Sequence, residues 1–170
     1  MKEVQLRRHA EKGPDGLLSE AGRRAAEEMS RILPAYAMVI ASDSARAIAS
    51  AELLTRNKPE VDPRAGFYLA PQAKSDAINQ IANERGVSFL EAVQIFNDNE
   101  VNEGIEAKAT ELNDLVHEIF RSLPDGERAL VVSHDLSISP AMAQKGISLA
   151  SIDPLCGYAI FDDGTIQILR

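Results

Sequence analysis

The sequence has little of several residue types, and each shortage excludes a class of protein. It contains one cysteine, Cys156, among 170 residues, so no intramolecular disulfide can form. Free thiols persist in a reducing compartment, and we therefore expect a cytoplasmic protein in which Cys156 is a buried structural thiol. No apolar run approaches the roughly 20 residues that span a bilayer. The first residues, Met1 to Val4, lead straight into charge and lack the apolar core of a signal peptide.

Positive charge and histidine are also scarce. Lysine and arginine number 18 against 26 aspartates and glutamates, which gives a net charge of −8. Nucleic acids and anionic membranes both require a basic face, so we expect neither as the main partner. Only three histidines occur, and none lies in a local ligand motif such as His-Glu-x-x-His, so we expect no metal and no cofactor. A small phosphate pocket remains compatible with this charge.

Apolar runs alternate with amphipathic segments along the chain. We predict core strands over 4–8, 38–42 and 129–133, helices over 20–33, 44–56, 76–85, 89–96 and 106–123, a helix capped by Ser139 with Pro140 in its first turn, and a hairpin of 158–161 and 165–169. This alternation predicts an α/β fold: a three-layer α/β/α sandwich with a mostly parallel sheet and a C-terminal antiparallel hairpin at its edge. No linker or repeat divides the chain, so we predict a single domain over 1–170.

Residues suited to binding phosphate follow the three predicted core strands. Arg8-His9 follows the first strand, Arg46 lies soon after the second, and Ser133-His134 closes the third. The carboxyl ends of parallel strands share one crevice, so we expect these side chains to converge on one anion. A neutral imidazole can attack phosphorus and carry the phosphoryl group, and guanidinium groups donate bidentately to its oxygens.

Four short segments together resemble the signature of the histidine phosphatase (phosphoglycerate-mutase-like) superfamily. In the superfamily's order they are Arg8-His9-Ala10-Glu11, Leu18-Ser19-Glu20-Ala21-Gly22, Ser42-Asp43-Ser44-Ala45-Arg46-Ala47 and Val131-Val132-Ser133-His134. They span most of the chain. The alanine after His9 and the small size are most similar to SixA-type phosphohistidine phosphatases.

The resemblance implies a metal-independent phosphatase with a covalent intermediate. His9 would be the nucleophile, Arg8 and Arg46 would bind the phosphoryl oxygens, and His134 would stabilise the transferring group as imidazolium. The expected partner is a phosphorylated small molecule or a phosphohistidine protein, and we expect phosphate or sulfate to occupy the same site.

Five further residues are candidates for contact with the substrate, each with an ordinary alternative. Ser42 stands where the superfamily often has a small polar residue near the site. Arg7 is either a cation at the pocket rim or an ordinary strand residue, and Lys12 either borders the pocket or is merely exposed. Asp135 either donates a proton, orients the adjacent histidine or caps the next helix. Asp76 either contacts the substrate or caps the predicted helix that it begins.

The segment Arg64-Ala65-Gly66-Phe67-Tyr68-Leu69-Ala70-Pro71 contains no carboxylate, although many phosphomonoesterases of the superfamily have a glutamate there. An alkoxide leaving group benefits greatly from a general acid, whereas imidazole, with an ordinary pKa near 6.5, leaves readily. The missing carboxylate therefore favours a P–N bond or an activated phosphate as the substrate over a stable sugar phosphate.

Two other functions remain open. The missing acid is also compatible with a non-catalytic phosphate-binding or interaction module on the same fold. A phosphoglycerate mutase is less favoured, because residues 65–125 leave little chain for insertions that would close over a phosphoenzyme. Residues 73–96 form either a lid or partner surface or a helical segment packed on the core.

Overall fold

Strands and helices alternate along the chain in the computed structural model, which describes all of residues 1–170. The strands are β1 (Glu3–Arg8), β2 (Met38–Ala41), β3 (Glu60–Val61), β4 (Arg128–Ser133), β5 (Gly157–Phe161) and β6 (Ile166–Leu169). The helices are α1 (Glu20–Met29), α2 (Ala45–Thr55), α3 (Gln72–Arg85), α4 (Phe89–Phe96), α5 (Asn99–Ser122) and α6 (Asp135–Ala143), with a short 3₁₀ turn at Pro63–Ala65. None of the helices combines the length and apolar character needed to cross a bilayer.

The six strands form one mixed sheet in the order β3-β2-β4-β1-β5-β6. The strands β3, β2, β4 and β1 run parallel, and the hairpin of β5 and β6 is antiparallel at the other edge. The predicted α/β fold with its edge hairpin is therefore confirmed. The register pairs Arg8 with Ser133 across β1 and β4, so the next residue of each strand end, His9 and His134, lies at the same edge.

Hydrophobic residues pack on both faces of the sheet because successive strand residues point to opposite sides. Along β4, Ala129 and Val131 enter a core covered by α5 and α6, whereas Leu130 and Val132 enter a core covered by α1 and α2. This arrangement confirms the three layers. A satellite cluster lies apart from both cores, between α3, α4 and the first half of α5; its fully buried members are Ile78, Ala92, Val93, Val101 and Ile105.

The starts of α5 and α6 differ most from the sequence prediction, because other residues occupy the N-cap positions. Helix α5 begins at Asn99 rather than at 106, since the side chain of Asp98 accepts a hydrogen bond from the Val101 N–H. Helix α6 begins directly after His134, so the predicted start at Ser139 is wrong. Pro140 lies inside α6, where its ring removes one backbone donor.

The remaining differences concern the ends of elements and one thiol. Helix α1 ends at Met29 rather than at 33, because the N–H of Ser30 closes the last turn. Helix α3 begins at Gln72, which places Asp76 in its second turn rather than at a cap, so the predicted cap is wrong. The two-residue strand β3 is too short and too exposed to give a sequence pattern. Cys156 is half-buried rather than fully buried.

Candidate active site

A cleft of about 350 Å³ opens at the carboxyl edge of the sheet. The structure brings the four principal candidates together in its wall. The titratable lining residues are Arg8, His9, Lys12, Arg46, His134 and Asp135. The other side of the cleft is mainly apolar and is lined by Phe67, Phe89, Leu90 and Leu136, with Ser88 beside them.

The ends of two helices contribute to this cleft. Arg46 is the second residue of α2, whose N-cap is Ser44, and His134 is the N-cap residue of α6. Helix N-termini carry unpaired N–H groups and a partial positive charge, and both favour a bound anion. The cleft therefore combines guanidinium groups with two helix dipoles of the same sign.

The hydrogen bonds of His9 define which ring nitrogen is free to react. Its Nδ1 lies 2.7 Å from the carbonyl oxygen of Ala10, and a carbonyl can only accept, so Nδ1 carries the proton. The Nε of Arg46 donates to the Nε2 of His9 over 3.0 Å, which requires a lone pair on Nε2. Burial, with the nearby cations Arg46, Arg8 and Lys12 adding to it, lowers the pKa of His9 from 6.5 to about 4. The ring is therefore neutral at physiological pH, with a lone pair on Nε2.

The second histidine is also neutral in the free protein. Nη2 of Arg46 lies 3.4 Å from Nδ1 of His134 and can only donate, so Nδ1 accepts and the opposite Nε2–H donates to Ser42 Oγ over 2.8 Å. Burial, followed by the charges of His9 and Arg46, lowers the pKa of His134 to about 2. The imidazolium expected from the sequence is thus not the form that the free cleft favours. The two histidine rings lie 5.1 Å apart, edge to face.

The loop that follows His9 is held in place by contacts with α1 and α2. The N–H of Ala10 donates to Ser50 Oγ over 2.9 Å, and that hydroxyl donates to the carbonyl of Arg46 over 2.7 Å. Helix α1 packs so closely on this loop that a Cβ at Gly22 would clash with the carbonyl of Glu11. Ser50 therefore ties the loop after His9 to α2, a role that sequence reasoning missed because the two segments are distant in the chain.

Arg8 and Asp135 meet at the same backbone segment. Nη1 of Arg8 donates to the Ile152 carbonyl, whereas the Nε of Arg8 is buried without a hydrogen-bond partner in the protein. Asp135 Oδ1 accepts from the Ile152 N–H over 2.9 Å, so this carboxyl does not cap α6. Burial raises the pKa of Asp135. The cleft thus holds an unsatisfied cationic donor and a carboxyl group whose pKa is raised by burial.

Two lesser candidates lie outside the cleft. Arg7 is 5% exposed; its Nη1 donates to the Leu155 carbonyl over 2.7 Å and its Nε to Gln5 Oε1 over 3.0 Å. Asp76 is exposed on α3 and accepts a hydrogen bond from the Gln72 side chain. The structure therefore gives Arg7 a structural role and leaves Asp76 away from the other site residues, whereas Ser42 and Lys12 do lie at the site.

The apolar side of the cleft was missed entirely by sequence reasoning. The ring of Phe67 lies 4.6 Å from that of His134, and the guanidinium carbon of Arg46 lies 5.5 Å from the Phe67 ring centre. The first turn of α4 and the start of α6 supply the other apolar residues. These segments are far apart in the chain, and no local pattern in the sequence marks them.

No family model and no curated protein matches the chain. Its structure is similar to that of YhfR from Bacillus stearothermophilus, with a TM-score of 0.70 at 22% identity over 99% of this chain and 95% of that chain. A phosphoglycerate mutase from Bacillus anthracis gives 0.69 at 18% identity over 98% and 90%. A mycobacterial glucosyl-3-phosphoglycerate phosphatase in complex with VO₃ gives 0.67 at 17% identity over 99% and 97%. These similarities establish the phosphoglycerate mutase-like fold.

Proposed function

We propose that the protein is a metal-independent phosphatase that hydrolyses a phosphorylated substrate through a covalent phosphohistidine intermediate on His9. The observation that carries this proposal is the unprotonated Nε2 of His9, which lies 3.0 Å from Nε of Arg46 in a cleft that Arg8 also lines. A neutral nucleophile beside fixed cations is what transfer of a dianionic phosphoryl group requires. The similar structures include phosphatases, one of them in complex with VO₃.

The cleft supports a two-step reaction. In the first step Nε2 of His9 attacks phosphorus, the bond from phosphorus to the leaving group breaks, and the leaving atom takes the electron pair and then a proton. In the second step water attacks phosphorus, the P–N bond breaks, and Nε2 regains its lone pair as phosphate leaves. Arg8 and Arg46 neutralise the oxygens in both steps.

His134 changes role when the substrate arrives. Its pKa is low in the free protein because it lies among cations in a buried position. A phosphoryl dianion reverses the sign of the local charge and so raises that pKa. We therefore propose that His134 gains a proton as the anion binds, and that Ser42 keeps its ring in place throughout. On this proposal the imidazolium belongs to the complex.

The substrate proposed here is a phosphohistidine side chain on a partner protein, with a phosphorylated small molecule as the alternative. The support is the scarcity of acids: Asp135 is the single carboxyl group lining the cleft, and one of its oxygens is engaged by the Ile152 N–H. An imidazole leaving group depends little on a general acid, unlike an alkoxide. Phosphohistidine is the substrate class of the SixA-type enzymes that the sequence resembles. The free cysteine of this protein, Cys156, favours the cytoplasm as the place of action.

The test compares the wild-type protein with His9→Ala on p-nitrophenyl phosphate and on a phosphohistidine-bearing protein, without added metal. His117→Ala is the matched control, because His117 is exposed on α5 outside the cleft. We expect turnover and an acid-labile label on His9 in the wild type and in His117→Ala, and neither in His9→Ala. A folded wild-type protein that hydrolyses neither substrate and takes up no label would overturn the proposal in favour of a phosphate-binding module.

A further inference from the structure

We infer that the apolar side of the cleft selects substrates whose leaving group carries a flat aromatic ring close to the phosphoryl group, and disfavours phosphorylated polyols. This inference rests on the proposed function, since it concerns the leaving group of the same reaction. The surface in question, here called the ring wall, consists of Phe67, Phe89, Leu90 and Leu136.

Phe67 stands where the phosphoryl end of the cleft meets the ring wall. Its ring packs on His134 at 4.6 Å between centres and lies 5.5 Å from the guanidinium carbon of Arg46. A leaving group that extends away from a phosphoryl group on His9 therefore meets an aromatic face. Aromatic rings prefer offset-stacked or edge-to-face contacts with such a face, and these add to the effect of burial.

The backbone that carries Phe67 is anchored directly under it. The hydroxyl of Ser133 donates to the Ala65 carbonyl and that of Ser137 to the Gly66 carbonyl, both over 2.7 Å. Both serines are fully buried. The ring is consequently presented in a position prepared before any ligand arrives, which lowers the entropic cost of binding a rigid partner.

The first turn of α4 forms the other part of the ring wall. Ser88 and Glu91 form a reciprocal capping box: the Ser88 N–H donates to Glu91 Oε2 over 2.8 Å, and Ser88 Oγ accepts from the Glu91 N–H over 3.2 Å. The N–H and the hydroxyl of Ser88 are thereby occupied. Phe89, which follows the cap, packs against the satellite cluster and remains half-buried at the cleft.

The side chains of the ring wall offer no hydrogen-bond partner to a polyol. No asparagine, glutamine or glutamate lines the cleft, and the hydroxyl of Ser88 and one oxygen of Asp135 are already engaged. Sugar or glycerol hydroxyls pressed against this surface lose water without replacement, which costs free energy for each group. A benzyl ring loses nothing of this kind and gains stacking, and an imidazole ring has fewer polar atoms to desolvate than a polyol.

The test uses two esters of primary alcohols, benzyl phosphate and glycerol 1-phosphate, so that the basicity of the leaving oxygen is similar. We expect a kcat/KM ratio in favour of benzyl phosphate of about tenfold or more, the range that apolar pockets achieve. Phe89→Ala should lower this ratio toward unity through the KM of benzyl phosphate. Phe96→Ala is the control, because Phe96 lies at the other end of α4 and packs in the same satellite cluster without lining the cleft. It should leave the ratio unchanged.

Binding of phosphonates separates failure of the ring wall from failure of the proposed function. Titration calorimetry compares benzylphosphonate with 2,3-dihydroxypropylphosphonate on the wild-type protein, where no turnover is needed. Tighter binding of the benzyl compound, by about tenfold or more, is expected. A protein without turnover that still shows this preference would overturn the phosphatase and keep the ring wall. Equal affinities, or equal kcat/KM values for the two esters, would overturn the ring wall and leave the phosphatase intact.

Discussion

The two ends of the cleft are built on different principles. At the phosphoryl end, directional hydrogen bonds position both histidine rings: Arg46 donates to each of them, and the carbonyl of Ala10 sets the tautomer of His9. At the ring wall, apolar side chains from three distant segments meet by packing, and hydrogen bonds act only on the backbone that carries them. If the proposals above hold, the chemistry of the reaction depends on a few directional donors, whereas the choice of substrate depends on surface shape and on missing polar groups. Substitutions at the two ends of the cleft should therefore have different effects on the kinetics.

The largest effect is expected from Arg46→Ala at the phosphoryl end. This change removes the donors to Nε2 of His9 and Nδ1 of His134 together with a phosphoryl ligand. Loss of one such preorganised donor typically costs about 10²–10³-fold in rate, so kcat/KM on p-nitrophenyl phosphate should fall at least that far. Arg46→Lys should recover little, because an ammonium cannot span both rings.

The control for this change is Arg23→Ala, since Arg23 is exposed on α1 outside the cleft. It should retain wild-type kcat/KM. A decrease of less than about tenfold in Arg46→Ala, with the fold intact, would contradict the central position given to Arg46.

Asp135→Asn tests the boundary between the two ends of the cleft, because the loss of activity that it causes should depend on the leaving group. Burial raises the pKa of Asp135 and so favours the protonated form, which can give a proton to a departing alkoxide. Steady-state kinetics should show a loss of about 10²-fold on benzyl phosphate and little change on p-nitrophenyl phosphate, whose leaving group needs no acid.

Asp153→Asn is the comparison variant, since Asp153 is an exposed neighbour outside the cleft. Equal losses on both esters in Asp135→Asn would assign Asp135 to holding the Ile152 segment instead. No loss of activity on either ester would mean that the reaction proceeds without a general acid, as the missing carboxylate in residues 64–71 predicts.

A smaller effect, confined to the phosphoryl end of the cleft, is expected when the pH is lowered. The pKa of His9 is lowered to about 4, chiefly by burial, so its ring should stay neutral as the pH falls through 6.5. Below about 4 the proton occupies Nε2 and the nucleophile is lost. Because the unfolded chain takes up this proton first, stability should also decrease as the pH falls from 6.5 toward about 4.

Nuclear magnetic resonance of the His9 ring, identified by its loss in His9→Ala, measures this directly. Its chemical shift should change little between neutral pH and about pH 5, where a histidine with the ordinary pKa is mostly protonated. A midpoint near 6.5 would show that the ring is not shielded from water as the structure implies.

The smallest effect is expected from Asp76→Asn, because Asp76 lies at neither end of the cleft. Asp76 is exposed on α3, and its one side-chain contact is with Gln72. Exposed substitutions of this kind usually change stability by less than about 0.5 kcal/mol, and kcat/KM should stay at the wild-type value. A clear decrease in kcat/KM on either ester would require α3 to move toward the cleft during the reaction.

The sequence predicted the fold class because it depends on local periodicity. Apolar runs of strand length mark β1, β2 and β4, and their alternation with amphipathic segments predicts the layers that the structure contains. Helix ends were predicted well where a local cap exists, as at Ser19, Ser44 and Ser88. The starts of α5 and α6 were predicted badly, because the local cap of α5, Asp98, was overlooked and the N-cap residue of α6, His134, makes no side-chain cap hydrogen bond.

By itself, then, the sequence determined the strand ends that carry Arg8, His9 and His134, because residues next to a buried strand must emerge at its edge. Tertiary structure alone decided that Arg7 points into a structural network, that Asp76 lies outside the cleft and that Phe67 and Phe89 line it. It also decided the protonation of both histidines. The physical reason is range: periodicity and capping act over a few residues, whereas burial and packing depend on segments that meet only when the chain has folded.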